Sequence, residues 1–528
     1  MPRSIPRFLS EIVERLPDKT AIVSTTRSVT FAQIYEEALA TAESLRELGV
    51  QPGDRVGICM EKSIDQVSVI LGVLFANAVI VPILPKLKQP NIQHIIQNSG
   101  MVAMVTDSER LKEVSEFAYM TKLIAGHGEI NEDWPNLVYL RRHLQPRLFF
   151  DRISADNAAI IYSSGSTGRP KGILIAHRNL ADGADIVTEY LGTNVDDKIA
   201  CVLSFNFDYG LNQIWQTILK GATLYLHDFV LPNDLFALLV EESITALPVM
   251  PVIITQMFDR RLKIRAASYN FSSLRYVCST GGRLSERMLA DLRTSFPTTK
   301  IYSMFGLTEA FRSTYLEPDK LDTHPTSIGK AIPDCQVLVM DENGKECPPN
   351  VVGELVQRGA TVSKGYWCDP ESTEKVFRTH PDYPGETLVF SGDSVFRDED
   401  GYLYFVARRD EMIKTRGFRV SPTEVEMEVV RHADIRDAVA FAVPNIAIGE
   451  DIACAYATVS GEPIPDQILI QYLKSNLPRH MVPAYLLHFD SFPITGNAGK
   501  FDRKTIKQIS FERLGIEPDA GDHRSMNI

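Results

Sequence analysis

Cysteine is scarce in this chain. The seven present, Cys59, Cys201, Cys278, Cys335, Cys347, Cys368 and Cys454, are scattered over 528 residues, odd in number and without a CxxC pair. That argues against a zinc site or a disulfide frame and fits free thiols in a reducing, cytoplasmic compartment. The opening segment MPRSIPRFLSEIVERLPD lacks the apolar core of a signal peptide. Positive charge is also in deficit, with a formal net charge of −12. A field of that sign repels nucleic acid and anionic membrane, so an anionic ligand must be met by a local cluster of cations and backbone donors. Long apolar runs are nearly absent. The exception, residues 67–84, is broken by Ser68 and Asn77 and carries Pro82 near its end. Ile64, Val67, Ile70, Leu71 and Leu74 keep helical spacing and VIVPIL reads as a strand, so a buried helix and strand are expected there and no membrane span. Internal repeats and low-complexity tracts are missing as well.

What is present points to a layered α/β protein. At 528 residues the chain exceeds one ordinary core, so two or more domains are expected. Phe31, Ile34, Tyr35, Ala38, Ala42, Leu45 and Leu48 form one helical face, opened by a Thr30/Gln33 capping box and stopped by Gly49. Strand-like runs (RVGICM, MVAMVT, AAIIYSS, ATLYL, LRYVCST) then alternate with helical stretches such as DLFALLVEESI and SERMLADLRTSF. After about residue 330 short strands joined by ENGK and DEDG turns suggest a β-rich subdomain. Beyond Arg409, PTEVEMEVVRHA, AVAFAVP, ACAYATV and DQILIQYLKSNL make a compact α+β unit, and the tail after about residue 510 lacks periodicity. The fold class is thus α/β: a large multi-layer N-terminal domain over residues 1–409, with its β-rich subdomain at about 330–409, and a small α+β C-terminal domain over 410–528.

The most informative segment runs from Tyr162 to Gly172, YSSGSTGRPKG. Small residues allow close backbone approach, while the hydroxyls and N–H groups of Ser163, Ser164, Gly165, Ser166, Thr167 and Gly168, with the Lys171 cation, suit phosphate oxygens. A flexible linker would not fix a cation between Pro170 and Gly172 or sit between two apolar strands. A Walker A loop fails by register: counted from Gly165, Pro170 stands where the second glycine belongs and Gly172 where Ser or Thr does.

The segment resembles the phosphate loop of the adenylate-forming superfamily, which holds acyl-CoA synthetases, nonribosomal peptide synthetase adenylation domains and firefly-type luciferases. The resemblance spans nearly the whole chain, because further motifs recur in order. GGRLS (Gly281, Gly282, Arg283) resembles the adenine-pocket loop. MFGLTEA places an adenine-stacking aromatic at Phe305, an α-phosphate contact at Thr308 and a magnesium-holding carboxylate at Glu309. SGDSVF supplies Asp393 for the ribose hydroxyls. ARRDEMIKTRGFRVSPTEVE resembles the hinge motif, with Asp410 at the hinge, Arg408 reaching the ribose and Arg419 approaching phosphate. PITGNAGKFDRK places the catalytic lysine at Lys500. MFGLTEAFRSTYL, GGRLS and SFNFDYGLNQ look most like the exosortase-associated acyl-CoA ligases of bacterial exopolysaccharide loci. Arg283 stands where the superfamily often has Ala or Glu, and Ala407 opens the hinge motif in place of Gly; a surface salt bridge is expected for Arg283.

The resemblance implies ATP and Mg2+ as cofactors, acyl-AMP and pyrophosphate as first products, and then acyl transfer to the thiol of CoA or of a phosphopantetheine carrier protein. It also implies a C-terminal domain that rotates between the two steps. A carboxylate is already a nucleophile and needs no general base, which accords with the lack of a Ser-His-Asp pattern; His177, expected to close the strand after the phosphate loop, reads as structural. Three alternatives remain: an amino-acid-activating enzyme loading a carrier protein, a luciferase-like oxygenase and an inactive binding homologue. In family terms Phe207 flanks the acyl channel, and Asp208 falls where amino-acid-activating members pair the substrate ammonium. The competing reading is that Asp208 caps the following segment or bonds backbone N–H groups near Gly210, and a non-amino carboxylic acid is the expectation.

Overall fold

A computed structural model of the chain describes residues 3–127, 134–137, 140, 153–164, 170–259, 269–408, 411–415, 418–445, 449–494 and 500–516. The first long helix shows how local signals fix an element. Phe31–Glu47 is opened by Thr30, whose hydroxyl accepts from the Gln33 amide at 3.2 Å, while the Gln33 side chain accepts from the Thr30 amide at 2.9 Å. A cap of this kind contributes about 1 kcal/mol. Gly49 leaves the helix at φ 95°, a conformation that favours glycine. The predicted apolar face is buried at Phe31, Ile34, Ala38, Ala42 and Leu45, and Tyr35 meets Phe75 edge-on at 5.6 Å.

Phe75 ends the helix Ile64–Phe75, in which every residue but Asp65 is buried. The two helices touch at Gly72, where an added Cβ would fall 2.4 Å from the Thr41 Cβ. The strand Val79–Pro82 that follows is buried throughout. Full burial of such aliphatic side chains contributes roughly 1.5–3 kcal/mol each, which accounts for the long apolar run without a membrane. Among the described residues no helix is long and apolar enough to cross one.

The strands form four sheets. The nine-stranded sheet holds Lys198–Cys201, Thr223–Leu226, Ala246–Val249, Tyr276–Ser279 and Lys300–Phe305 in parallel, with Thr314–Leu316 antiparallel beside the last. Ligand sites in such sheets gather at the carboxyl ends of the strands. Three segments singled out in the sequence leave from those ends: 202–207, 280–285 and 306–313. The six-stranded sheet closes with an antiparallel hairpin, Asn157–Ser164 with Pro170–Ala176. His177 is buried and opens the helix His177–Leu191 rather than closing the strand.

The third sheet, five-stranded, is built on Tyr383–Arg397, which pairs with Gly353–Gly359, Phe377–His380 and Leu403–Arg408. Sequence reading did not predict that strand and named only the SGDSVF motif within it. The fourth sheet centres on Ile435–Asn445 and Gly449–Thr458, with the helix Pro422–Arg431 and Leu469 and Leu473 of the helix Asp466–Asn476 packed into one core. All seven cysteines are free, and all but Cys335 and Cys368 are buried.

Candidate active site

The hairpin Asn157–Ser164/Pro170–Ala176 pairs Ser163 with Lys171 and Tyr162 with Gly172. Gly165, Ser166, Thr167, Gly168 and Arg169, the tip of the expected phosphate loop, lie outside the described residues, as does the side chain of Ser164. Lys171 is held at the base of the tip. Its Nζ donates to Ser372 Oγ at 2.7 Å, lies 3.9 Å from the Asp369 carboxylate, and stands 5.5 Å from the Tyr366 ring centre. Tyr366 in turn donates its hydroxyl to Glu309 Oε1 at 2.6 Å. The Tyr366 hydroxyl is pushed well above its ordinary value, by burial first and by the Glu309 charge second. The chain thus links the lysine of the first motif to the glutamate of the third through a tyrosine that sequence reading missed. The signal for it was the Gly365-Tyr366-Trp367 run just before the proline-led helix Pro370–Val376.

Thr308 and Glu309 follow Phe305, the last residue of the strand Lys300–Phe305. Phe305 is part-buried, its ring 6.0 Å from that of Phe405 on the third sheet. Thr308 lines a narrow cavity with Asp208, Leu211, Trp215, Phe311 and Ser363. The backbone carbonyl of Glu309 accepts from the Ser363 amide at 2.9 Å, so the motif is tied to the loop carrying Tyr366. Among the described residues nothing donates to Glu309 Oε2. Mg2+ is commonly held by one or two carboxylates plus substrate phosphates, and a carboxylate with one oxygen steadied and one open fits that role.

Asp393 and Arg408 are opposite each other in the ladder of Tyr383–Arg397 and Leu403–Arg408. Arg408 Nε lies 2.9 Å from Asp393 Oδ1, outside hydrogen-bond geometry, so the buried carboxylate is held by charge and keeps acceptor capacity. Burial pushes the Asp393 carboxyl up to about 6, Arg408 pulling the other way. Arg408 is itself about half exposed.

Gly281 has φ 85°, and a Cβ there would meet Met250 at 2.7 Å and Lys500 Cε at 3.4 Å. Lys500, carried by the C-terminal part of the chain, therefore reaches the turn at the end of the strand Tyr276–Ser279. It is exposed to solvent. Desolvation lowers its ammonium, and Asp208, Asp393 and Glu309 oppose that while Arg408 adds to it. Gly282 and Arg283 are exposed, and Arg283 makes no salt bridge among the described residues, contrary to the expectation for it. The nearest charges, Glu286, Arg431 and Glu426, act on it only through space.

Phe207 is the cap of the helix Asp208–Lys220, part-buried against the main core. Asp208 is the first residue of that helix and not its cap, a correction to the capping reading, while its carboxylate accepts from the backbone N–H of Tyr209 beside Gly210, as the other half of that reading has it. Its half-buried carboxyl is raised by burial first, with Arg312 and then Lys500 pulling it down. The carboxylate faces the cavity beside Thr308. Gly210 permits this turn, since a Cβ there would fall 1.8 Å from the Ser204 carbonyl oxygen. Asp410 and the side chain of Arg419 lie outside the described residues; the backbone of Arg419 pairs with Lys414.

Three further residues escaped sequence reading. Glu426 and Arg503 form a pair at 2.6 and 2.7 Å that fixes the chain three residues beyond Lys500. Arg312 is 2% exposed; a charged residue in the run AFRSTYL gave no sign of burial.

A family model described as AMP-binding enzyme matches residues 9–367. The chain is 29% identical over 513 residues to surfactin synthase subunit 2 of Bacillus subtilis (strain 168), covering 95% of this chain and 14% of that protein. It is 29% identical over 515 residues to tyrocidine synthase 1 of Brevibacillus parabrevis, covering 96% and 45%. The chain thus spans less than half the length of these curated relatives. Its fold is that of anthranilate CoA ligase AuaEII in complex with anthranoyl-AMP, with a TM-score of 0.88 at 22% identity over 98% of each chain. It is also that of ATP-bound MatB from Rhodopseudomonas palustris, with a TM-score of 0.86 at 24% identity over 97% of this chain and 100% of that one. With a family model matched across most of its length and the motifs falling in the family's order, the chain belongs to the AMP-binding enzymes, within the adenylate-forming superfamily.

Proposed function

We propose that this chain activates a carboxylic acid with ATP and passes the acyl group to a thiol. A carboxylate oxygen attacks the α-phosphorus, the bond to the β-phosphate oxygen breaks, and pyrophosphate leaves. The thiolate then attacks the acyl carbon, AMP leaves, and the thiol proton goes to solvent. The observation that carries the reading is the convergence of Asp208, Glu309, Asp393, Arg408 and Lys500. They come from three sheets' worth of chain, yet their charges act on one another at the carboxyl ends of the parallel strands.

In this reading the charge that develops on the α-phosphoryl oxygens is met by donors already in place, the Lys500 ammonium and the Thr308 hydroxyl. Lys171 and the loop 163–168 hold the outer phosphates, and Asp393 with Arg408 holds the ribose. Phe305 and the Gly281-Gly282 turn flank the base. Bound Mg2+, held by Glu309, supplies charge neutralisation of the phosphates. Residues 410–528 act as the mobile part that carries Lys500 in and out, turning at Asp410, with Arg419 nearing phosphate. The acceptor thiol belongs to CoA or to a phosphopantetheine carrier protein, and the scattered free cysteines support a cytoplasmic setting. The resemblance to nonribosomal peptide synthetase adenylation domains supports an amino-acid variant of the same chemistry; the buried Arg312 guanidinium beside Asp208 speaks for a non-amino acid.

The test is acid-dependent ATP–pyrophosphate exchange over a carboxylate panel, followed by AMP release with CoA or with a phosphopantetheinylated carrier protein as acceptor. Exchange that depends on the acid supports the reading. ATP binding without exchange for any acid contradicts it.

A further inference from the structure

The turn that follows Glu309 is built to bury one cation. Phe311 has φ 61°, a left-handed backbone that an aromatic residue rarely adopts. Its ring rests on Gly183, where a Cβ would fall 2.7 Å away, and the chain doubles back so closely that a Cβ on Gly306 would meet the Arg312 Cα at 2.8 Å. The Arg312 carbonyl accepts from Gln357 Nε2 at 2.8 Å. The result is a guanidinium 2% exposed, its central carbon 4.9 Å from the Tyr209 ring centre and 5.3 Å from that of Phe311.

Only one nitrogen of that guanidinium is satisfied. Nη1 donates to Thr280 Oγ1 at 3.0 Å, whereas Nε and Nη2 have no acceptor in hydrogen-bond geometry among the described residues. The Tyr190 hydroxyl donates to Met304 Sδ at 2.9 Å and still has lone pairs to offer the guanidinium, which it neighbours without reaching hydrogen-bond geometry. A buried donor left unpaired is costly, and here two lie side by side on one planar edge, the shape that matches a pair of oxygen lone pairs. Asn212 Nδ2, one helical turn beyond Asp208, and Ser313 Oγ are also buried without partners among the described residues.

The place of this edge relates it to the reacting centre. Thr280 is next to Gly281, which Lys500 approaches, and Tyr209 is next to Asp208. Arg312 is thus held against the two segments that carry Asp208 and the turn Lys500 reaches. Arg312 and Lys500 are the protein cations that act on the Asp208 carboxylate, although burial outweighs them and keeps its carboxyl raised. A substrate ammonium would face a buried guanidinium.

Building on the acid-activating reading, we propose that Arg312 is the specificity-determining residue of the acid pocket, and that the substrate is a carboxylic acid carrying a second oxygen acceptor (hydroxyl, oxo or carboxylate) and no amino group. The Nε–Nη2 edge receives that oxygen. Asp208 balances part of the guanidinium charge.

The experiment uses the full chain and sets of acids matched in carbon number: unsubstituted, hydroxy or oxo, terminally carboxylated, and amino. Each is measured for kcat/KM in ATP–pyrophosphate exchange and for its stabilisation of the AMP-bound protein against heat. The oxygen-bearing member should lead its unsubstituted partner by at least about tenfold, the scale of one hydrogen bond to a charged group. Arg312→Met should bring the two together. Arg312→Lys, which keeps the charge but loses the fork, should lose most of the preference as well and serves if Arg312→Met does not fold. A purely structural arginine would lower all members alike. A lead for the amino acid, or a preference unchanged in either variant, overturns the proposal. If heat stabilisation shows the preference while exchange is absent for every acid, Arg312 stands and the adenylation reading fails.

Discussion

Asp393 shows how a residue can be expensive to the fold and useful to the site. Its carboxyl is raised from 3.8 to about 6 because burial disfavours the charged form more than Arg408 favours it. The folded state therefore binds this proton more tightly than the unfolded chain does. The group's stabilising contribution is full below about pH 4 and is lost as pH rises through about 6. Asp393→Asn should accordingly be more stable than wild type at pH 8, by up to roughly 3 kcal/mol, and melt higher there, with the difference gone near pH 4. ATP use should suffer in the same variant, and wild-type KM for ATP should rise as pH falls below about 6, because the carboxylate must be charged to accept ribose hydroxyls. Thermal melts and ATP saturation curves across that range check both halves; a stability difference that ignores pH contradicts the assignment. Single residues were legible in the sequence where a motif named them, as with Lys171, Glu309 and Asp393. Arg312 and Tyr366 were not, because burial of a charge or of a phenol depends on backbone turns and neighbours that adjacent residues do not encode.

At the scale of elements the local signals carried far. The Thr30/Gln33 box, the Gly49 stop and the β–α alternation all describe contacts between near neighbours in sequence, and each is found in the fold. The strand Tyr383–Arg397 was missed because Pro384, Gly385 and Glu386 interrupt its apolar alternation, and its length is set by three partner strands. The turn into the helix Asp208–Lys220 was read as a site for a capping aspartate, yet Phe207 takes the cap and Asp208 begins the helix. Gly210 makes that geometry possible. Gly210→Ala would force its Cβ against the Ser204 carbonyl oxygen, and overpacking of this kind costs about 1–3 kcal/mol. Urea unfolding should show that loss, and KM for the acid should rise with it because Phe207 and Asp208 move with the turn. A variant of unchanged stability and unchanged KM would mean that the turn yields freely.

For the whole molecule, the consequential feature is that the catalytic lysine of the proposal and most of its partners lie on different parts of the chain. The sequence indicated this through motif order, but it could not show that Lys500 sits against Gly281, a contact between residues far apart in the chain. The phosphate-loop tip and Asp410 remain expectations, since both lie outside the described residues. If residues 410–528 turn about Asp410, proline there, with φ fixed near −65°, should allow one arrangement and block the other. Asp410→Pro should then keep one half-reaction and lose the other in separate exchange and thiolation assays; wild-type turnover overall would place the pivot elsewhere.

The part-buried Glu426–Arg503 pair, in which one guanidinium nitrogen donates to both carboxylate oxygens, anchors the chain three residues beyond Lys500. The most direct measurement is acid-dependent ATP–pyrophosphate exchange in wild type and in Lys500→Ala, alongside thiolation from supplied acyl-adenylate. Removing one donor aimed at the developing charge costs about 3–4 kcal/mol, or 10²–10³ in rate. The account predicts that loss in exchange and a much smaller one in thiolation, and equal losses in both half-reactions would contradict it.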